Sequence, residues 1–233
     1  MARERKNLIV IPVYNEELFI ADVVAEIRKY TYENTDILVV NDGSTDGSPE
    51  AISKLEGILS IDHGENLGYG RSLIDGFDYA AENGYTTVIT IDCDWQHEPH
   101  LIREFFRETD NYDIVSGSRY LRSSHEKAPE ERSGINRLIT KRINEITGHG
   151  ITDAFCGFKA YRMGGLTKLN LTEPHYGMPL QLWIEASKHG LTVKEIPVGL
   201  VYFQWRRGFS GRLSDPGKRL AYYNRVIDEE LAR

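Results

Sequence analysis

Two acidic residues, Asp92 and Asp94, are separated by a single residue and directly follow an apolar run in this chain of 233 residues. Alternate side chains of an extended backbone point to the same side, so the two carboxylates lie close enough to repel each other. A divalent cation of the Mg²⁺ or Mn²⁺ class relieves this repulsion, because it prefers oxygen ligands and leaves positions for water and substrate phosphate. Gln96 and His97 follow and could add a further ligand. The alternative is an ordinary acidic turn, which the preceding apolar run disfavours.

A second polar segment, Asn41-Asp-Gly-Ser-Thr-Asp-Gly47, also follows an apolar run. Its glycines allow close approach of the backbone to a ligand, and Asp42 can accept hydrogen bonds from a nucleobase or a ribose. A tight turn in which Thr45 or Asp46 caps the next helix is the alternative, and the two interpretations are compatible.

The glycines of Glu65-Asn-Leu-Gly-Tyr-Gly70 match part of a dinucleotide-binding pattern, but that pattern belongs after the first strand. The segment in that place is Pro12-Val-Tyr-Asn-Glu16, in which proline and tyrosine suit packing against a nucleobase. The sequence therefore disfavours an NAD site and predicts a different nucleotide site.

These segments are predicted to lie at the ends of strands in a parallel sheet. The predicted strands are Asn7–Val13, Asp36–Asn41, Gly57–Asp62 and Thr86–Ile91, and the predicted helices between them are Glu16–Tyr30, Ser48–Leu55 and Gly68–Asn83. Strands that alternate with helices indicate an α/β fold with a mostly parallel, Rossmann-like sheet flanked by helices. Ligands bind at the carboxyl ends of the strands in such sheets, which is where the polar segments fall.

The second half is less regular. We predict helices over Arg132–Thr147 and Pro179–His189, a strand near Thr192–Val198 and a loop over Arg119–Glu131. A last helix begins at Ser214-Asp215-Pro216 and places Leu220, Tyr223, Ile227 and Leu231 on one face, which favours packing on its own domain over a membrane. We predict one domain, with a nucleotide-binding half (1–118), an acceptor half (119–213) and an amphipathic helix (214–233).

Composition excludes several classes of protein. The chain is 40% apolar and 27% charged, which is typical of a globular protein, and its apolar runs are too short to span a membrane. The N-terminus has no signal-peptide pattern, and two cysteines, Cys93 and Cys156, cannot form a disulfide framework or a structural zinc site. These features predict a cytoplasmic protein.

Charge divides the chain. Residues 1–118 contain 9 Lys and Arg against 23 Asp and Glu, whereas residues 119–233 contain 19 against 12. The net charge of −7 argues against nucleic-acid binding. Basic residues concentrate in residues 200–225, among them Arg206, Arg207 and Arg212, and this segment is either a solvated rim or an edge that binds anions or faces a membrane.

Six motifs in this order resemble family 2 inverting glycosyltransferases, and most closely the dolichol-phosphate mannose synthase and polyprenyl-phosphate hexosyltransferase group. They are Pro12–Glu16, Val40–Gly47, Asn66–Gly70, Asp92–His97, Ser116–Tyr120 and Asp153–Lys159. The resemblance covers about residues 7–205. It implies a glycosyltransferase-A fold, a GDP- or UDP-hexose donor and a Mg²⁺ or Mn²⁺ ion.

The resemblance also implies roles for individual residues. The nucleoside would be held by Pro12, Tyr14, Glu16 and Asp42 beside Asn66 and Gly68, with Asp92 and Cys93 also in the nucleotide site. The metal and the diphosphate would be held by Asp92, Asp94 and Gln96. Asp94 would be catalytic, Arg119 would bind the acceptor phosphate, and Arg206, Arg207 or Arg212 would help neutralise the leaving group. The alternative for Arg119 is a salt bridge to an acidic residue upstream.

The resemblance favours transfer of mannose or glucose from a nucleotide sugar to a polyprenyl or dolichyl phosphate at a membrane face. An enzyme with a small-molecule or saccharide acceptor is the alternative, and a sugar nucleotidylyltransferase is a third interpretation. Two positions differ from the group's pattern. Gly211 stands where lysine is expected, with Arg212 next to it, and Gln181 stands where a helix acid is common, with Glu185 one turn further on.

Overall fold

A mixed β-sheet forms the centre of the protein. The structure, a computed structural model, describes residues 6–121, 130–199 and 211–233. Its strands are β1 (Asn7–Val13), β2 (Thr35–Asn41), β3 (Leu59–Asp62), β4 (Thr87–Thr90), β5 (Ile114–Ser118), β6 (Lys159–Arg162) and β7 (Val193–Pro197). Within these residues the strand order is β3-β2-β1-β4-β6-β5-β7.

The helices cover both faces of the sheet. They are α1 (Ile20–Arg28), α2 (Ser48–Ser53), α3 (Tyr69–Glu82), α4 (Ile102–Glu108), α5 (Glu130–Thr147), α6 (Met163–Leu166), α7 (Met178–Lys188) and α8 (Pro216–Leu231). Alternate residues of β1 belong to two apolar clusters, one on each face of the sheet. Leu8 and Val10 pack with α3, α5, α7 and α8, whereas Ile9 and Ile11 pack with α1, α2 and α4. The predicted mostly parallel sheet flanked by helices is confirmed.

One short strand reverses the direction of the sheet locally. β6 pairs antiparallel with β4 on one side and with β5 on the other, so the segment before β6 lies at the carboxyl edge of β4. The sequence analysis missed β5 and β6, because their sequences IVSGS and KAYR are short and contain polar residues. β6 brings the segment Asp153–Phe158 next to the acidic pair after β4.

The predicted helix boundaries need one clear correction. The helix predicted from Glu16 begins at Ile20, because Asn15 has φ 58° and residues 16–19 form a turn. The predicted loop at Arg119–Glu131 lies largely in residues 122–129, outside the described part of the chain, and α5 begins at Glu130.

The C-terminal helix packs on the domain, as predicted. The Asp215 side chain caps α8 by accepting the Lys218 backbone N–H at 2.7 Å, and Tyr223 and Ile227 are buried against the cluster that contains α5 and α7. Leu231 was placed on the same face, but it is 49% exposed because it lies at the end of the helix. Among residues 6–121, 130–199 and 211–233, no helix combines the length and apolar character needed to span a bilayer.

Candidate active site

The acidic pair lies at the carboxyl edge of the sheet, just beyond β4. Asp92 keeps 29% of its side chain exposed and accepts a hydrogen bond from the Tyr69 hydroxyl at 3.0 Å. The Asp94 carboxylate accepts the Gln96 backbone N–H at 3.1 Å. Burial raises the pKa of Asp92, His97 opposes this rise, and the charge of Asp94 adds to it. The charge of Asp94 thus adds to the cost of ionising Asp92.

His97 supports the acidic pair from behind. Its Nδ1 accepts the Asp92 backbone N–H at 3.1 Å, which leaves the ring proton on Nε2, 3.6 Å from Asp92 Oδ2. The ring is 7% exposed and stacks on Phe158 with 5.4 Å between the ring centroids. Burial lowers the pKa of His97, but the charge of Asp92 together with the contacts of Cys156 and the charge of Asp94 shifts it upward overall. His97 therefore orients Asp92 and is not available as the further ligand that the sequence allowed.

The acidic pair fits a cation of the Mg²⁺ or Mn²⁺ class. Within the part of the chain that the structure describes, no three His, Cys, Asp or Glu side chains gather to hold a metal by themselves. Mg²⁺ is commonly bound by one or two carboxylates, with water and substrate phosphates as the remaining ligands. Asp92 and Asp94 supply such a pair of carboxylates at an accessible edge, whereas the contact that Gln96 makes with the pair is through its backbone.

Cys93 lies between the two acids and faces the opposite direction. Its side chain is 2% exposed and packs in the apolar cluster with Ile9 and Phe158. Only the backbone of Cys93 is therefore left for the nucleotide contact that was predicted for this residue.

Two loops at the ends of β1 and β2 are joined by hydrogen bonds. The Asn15 side-chain oxygen accepts the backbone N–H groups of Thr45 at 2.7 Å and Asp46 at 3.3 Å, and the Glu16 backbone N–H donates to the Ser48 hydroxyl at 2.8 Å. Tyr14 is 45% exposed on this rigid surface. The structure thus brings Pro12, Tyr14 and Glu16 beside the segment that contains Asp42, as a nucleoside site requires.

Asp42 is buried and holds the neighbouring segment in place. Its carboxylate accepts the backbone N–H groups of Leu67 at 2.8 Å and Gly68 at 3.0 Å, and His63 Nδ1 lies 2.9 Å from Oδ1. With 3% of the residue exposed, Asp42 builds the floor of the site through these bonds. The side chain of Asn66 also contacts Asp42, by donating to its backbone oxygen at 3.3 Å.

His63 connects Asp42 to helix α3. Its Nε2 lies 2.9 Å from Asp75 Oδ2, and Asp75 also pairs with the Arg71 guanidinium. Each ring nitrogen of His63 therefore lies within hydrogen-bond distance of a carboxylate oxygen, one from Asp42 and one from Asp75. The sequence analysis did not single out His63, and its only signal was a position directly after β3.

Helix α3 begins in close contact with residues 172–177. Gly68 has φ 110°, and a side chain there would collide with Pro174 and His175, so this position favours glycine for both reasons. The next residue, Tyr69, donates to Asp92 and stacks on Tyr176, with ring centroids 5.6 Å apart and planes 12° apart. Tyr69 lies in the Asn66–Gly70 motif, but no function was predicted for it from the sequence.

The candidate acceptor residue Arg119 forms a buried ion pair. Its Nε and Nη2 donate to the two carboxylate oxygens of Asp153 at 2.6 and 2.9 Å, and the Arg119 side chain is 9% exposed. Burial would raise the pKa of Asp153, but the charge and hydrogen bonds of Arg119, with the Phe155 backbone N–H, lower it overall. The salt-bridge alternative is thus found, although the partner lies downstream in the chain, and two of the nitrogens intended for an acceptor phosphate are occupied by Asp153.

Lys159 is a buried cation that the sequence analysis missed as a site residue. It is 2% exposed at the start of β6, donates to the Cys156 backbone oxygen and lies 5.5 Å from the Trp183 ring centroid. Burial lowers its pKa, and Asp153 and Asp92 oppose that shift. Lys159 thus contributes positive charge behind the acidic pair.

Gln181 and Glu185, the two α7 residues considered for an acidic role, hydrogen-bond to the segment before α7. The Gln181 side-chain oxygen accepts the backbone N–H groups of Thr172 at 2.7 Å and Glu173 at 2.8 Å. Glu185 accepts the Asn170 N–H at 2.8 Å and pairs with Lys188. Glu185 therefore cannot substitute for the missing acid, and both residues fix the loop before α7.

The basic segment, residues 200–225, lies outside the described part of the chain up to residue 210. Arg206 and Arg207 lie outside the described residues, as does the side chain of Arg212, whose backbone is part of the short helix Gly211–Ser214. Their predicted contribution to leaving-group stabilisation stays a prediction. The described residues place paired carboxylates at the edge of the sheet, the loops of Tyr14 and Asp42 beside them, and the buried cations Arg119 and Lys159 behind.

Comparison with known proteins agrees with this chemistry. The family model described as Glycosyl transferase family 2 matches residues 8–169. A UDP-N-acetylglucosamine–dolichyl-phosphate N-acetylglucosaminyltransferase of Methanococcus voltae is 28% identical over 226 residues, covering 84% of this chain and 86% of the relative. A polyprenol monophosphomannose synthase of Mycolicibacterium smegmatis is 26% identical over 204 residues, covering 83% of this chain and 77% of the relative.

A solved structure shares the fold at low sequence identity. Glucosyl-3-phosphoglycerate synthase of Mycobacterium tuberculosis, in complex with Mn²⁺, UDP-glucose and phosphoglyceric acid, superposes with a TM-score of 0.74 at 18% identity. The match covers 97% of this chain and 79% of the synthase.

Proposed function

Because the chain belongs to glycosyl transferase family 2, we propose that it transfers a hexose from a nucleotide-diphosphate sugar to a polyprenyl phosphate. The observation that carries the donor half of this proposal is the pair Asp92 and Asp94, held at the edge of the sheet beside the loops of Tyr14 and Asp42. The loops of Tyr14 and Asp42 would bind the nucleoside, and the acidic pair would bind the diphosphate through the cation.

The donor would bind across the ends of β2, β1 and β4. The nucleoside would pack on Pro12 and Tyr14, with the floor formed by Asn66 and Gly68, and the diphosphate would extend toward Asp94. When bound by Asp92 and Asp94, Mg²⁺ or Mn²⁺ would offset the negative charge of the departing diphosphate. The synthase with the shared fold binds Mn²⁺ and UDP-glucose, which supports this class of metal and donor.

The protein residues would fix the geometry of this site. Tyr69 and His97 hold the Asp92 carboxylate and backbone, so that its oxygens face the cleft before substrate arrives. Burial and the charge of Asp92 raise the pKa of Tyr69, which keeps its hydroxyl protonated and able to donate. Such preorganised contacts to a ligating carboxylate increase metal affinity.

The acceptor that fits best is a phosphate. A phosphate monoester is already ionised near neutral pH and can attack the anomeric carbon without a general base, and attack opposite the leaving diphosphate inverts that carbon. Gln181 and Glu185, the residues weighed for an acidic role on α7, are engaged in structural hydrogen bonds. The two relatives act on dolichyl phosphate and polyprenol, by their names, and therefore support a lipid phosphate that is reached at a membrane surface.

The acceptor would be bound by the half of the chain from residue 119 to residue 213. Arg119 is the proposed contact for the acceptor phosphate, and Arg206, Arg207 or Arg212 would help to neutralise the departing diphosphate. Arg119 would act through Nη1, the guanidinium nitrogen that its two bonds to Asp153 leave.

Transfer of labelled sugar tests this function directly. Purified protein is incubated with labelled GDP-mannose or UDP-glucose, undecaprenyl or dolichyl phosphate, and Mg²⁺ or Mn²⁺, and the products are partitioned between water and an organic solvent. We expect label in the organic phase, dependent on the divalent cation and abolished by EDTA.

Two other results would contradict the proposed acceptor. Label that joins only a water-soluble acceptor, such as phosphoglycerate, would identify a small-molecule transferase. Release of pyrophosphate from a nucleoside triphosphate and a sugar phosphate would identify a nucleotidylyltransferase instead.

A further inference from the structure

An exposed aromatic ring, that of Tyr176, lies in the loop before α7 and next to Tyr69. Tyr176 is 47% exposed, and its ring stacks nearly parallel on Tyr69 at 5.6 Å. The hydroxyl of Tyr69 donates to Asp92 at 3.0 Å. The two tyrosines therefore form a stack that begins at the diphosphate side of the site and ends in an exposed aromatic surface.

The loop that presents Tyr176 is fixed from below. The Gly177 backbone N–H donates to the Tyr222 hydroxyl at 2.8 Å, and that hydroxyl donates to Glu173 at 2.7 Å. The Gln181 side chain accepts two further backbone N–H groups of the same loop. An exposed aromatic side chain on a loop held this firmly is preorganised to contact a ligand.

The loop also touches the floor of the donor site. The Arg71 backbone N–H donates to the Pro174 oxygen at 2.9 Å, and Gly68 and Gly70 lie directly against residues 173–175. The position of Tyr176 is thus tied both to the segment that Asp42 holds and to Asp92.

We propose that Tyr176, supported by Tyr69, is the platform on which the transferred hexose packs, and that it helps to set sugar selectivity. This inference rests on the proposed function. In a nucleotide sugar the hexose is bonded directly to the second phosphate, so a diphosphate held at Asp92 brings the sugar next to the Tyr69 hydroxyl. The flat, weakly negative face of a tyrosine ring packs well against the C–H groups on one face of a pyranose.

A comparison of ligands with and without the sugar tests this role. Calorimetry in Mn²⁺ would measure the Kd of the nucleotide sugar that the protein binds and of the matching nucleoside diphosphate, for wild type, Tyr176→Ala, Tyr176→Leu and Tyr176→Phe. We expect Tyr176→Ala and Tyr176→Leu to weaken binding of the nucleotide sugar by about five- to tenfold, the size expected of one aromatic contact. Binding of the nucleoside diphosphate should stay within about twofold, and Tyr176→Phe should resemble wild type.

Tyr32 provides a matched control. It is 38% exposed and packs on Phe106 at 5.8 Å, but it precedes β2 and therefore lies at the opposite edge of the sheet. Tyr32→Ala should change neither Kd.

Three results would overturn the proposal. An equal loss of affinity for both ligands would mean that Tyr176 only supports the loop, and unchanged binding of both would mean that the ring contacts no donor. A change confined to the KM of the polyprenyl phosphate would assign the ring to the acceptor. Failure of folded wild-type protein to bind any nucleotide sugar is a different result, because it would refute the proposed function itself.

Discussion

At the scale of single residues, the ion pair between Arg119 and Asp153 joins two side chains that are almost wholly buried. Nε and Nη2 of Arg119 reach the two Asp153 oxygens, and the Arg119 and Phe155 backbone N–H groups add to the contacts of that carboxylate. Loss of one member would leave the other charge buried without a partner. Breaking such a pair typically destabilises a protein by about 3–5 kcal/mol.

Asp153→Ala should therefore lower the free energy of unfolding by about 3–5 kcal/mol near neutral pH, as measured by urea denaturation. Because the pKa of Asp153 is lowered in the folded protein, the pair stabilises at pH values above the unfolded pKa of about 3.9 and its contribution is lost as the pH falls through the folded pKa. The difference between variant and wild type should consequently shrink in acid.

Glu50→Ala removes the exposed pair with Lys54 and serves as the control, because solvent screens such a pair and its loss should change stability little. If Asp153→Ala were as mild as this control, the ion pair would not stabilise the fold.

Residue types and spacing predicted part of this site but not its partners. The spacing of Asp92 and Asp94 after an apolar run was sufficient to predict a carboxylate pair at a strand end. The contacts of Asp42 with His63, and of Arg119 with Asp153, join residues 21 and 34 positions apart, and only the folded chain brings them together. A single sequence contains no signal for such pairs.

At the scale of elements, helix α8 supports residues 172–177, the loop that packs against the start of α3. Tyr222 on α8 contacts Glu173 and Gly177, and Glu230 on the same helix accepts a hydrogen bond from Gln181 at 2.7 Å. The C-terminal helix therefore helps to shape the candidate site although it contributes no residue to the acidic pair.

Tyr222→Phe should test this connection. It removes a hydroxyl that donates to Glu173 and accepts from Gly177, so we expect a loss of about 1–3 kcal/mol in unfolding free energy. The loosened loop should also weaken nucleotide-sugar binding, by about threefold or 0.6 kcal/mol.

Tyr85→Phe is the matched control, because it also removes a hydroxyl that donates to a carboxylate, that of Asp36 at 2.6 Å, but before β4 and hence at the other edge of the sheet. It should reduce stability without changing the Kd. Equal effects of the two variants on binding would refute the role of α8.

The elements that were predicted correctly are those with long apolar runs. β1 and β2 have seven residues each, β1 almost wholly buried and β2 buried from Ile37 onward, so their apolar patterns were clear. β6 has four residues, and its reversed direction depends on pairing with β4 and β5 at once, which no local pattern indicates. The loop before α7 was equally hidden, because its shape depends on side chains from α7 and α8.

At the scale of the whole molecule, segments distant in sequence meet at one edge of the sheet. The loops after β1, β2 and β4, the start of α3 and the segment before β6 surround the acidic pair. Buried cations, Arg119 and Lys159, come from the second half of the chain, which carries the excess of basic residues, whereas the paired carboxylates come from the acidic first half. The site thus forms where the two halves of opposite charge join.

The central claim is that this edge binds a nucleotide sugar through Asp92, Asp94 and a divalent cation. Asp94→Ala should abolish transfer with an unchanged Tm, because the side chain lies at an accessible edge and outside the apolar core. Asp22→Ala, at an exposed position of α1, is the control.

The most direct measurement is calorimetric titration of GDP- and UDP-sugars into wild type, Asp94→Ala and Asp22→Ala, with and without Mn²⁺. We predict binding that requires Mn²⁺ in wild type and Asp22→Ala and is weakened by at least about tenfold in Asp94→Ala, as expected when a metal site loses a ligand. Binding that is absent under all conditions, or that is equal in Asp94→Ala and indifferent to Mn²⁺, would contradict the account.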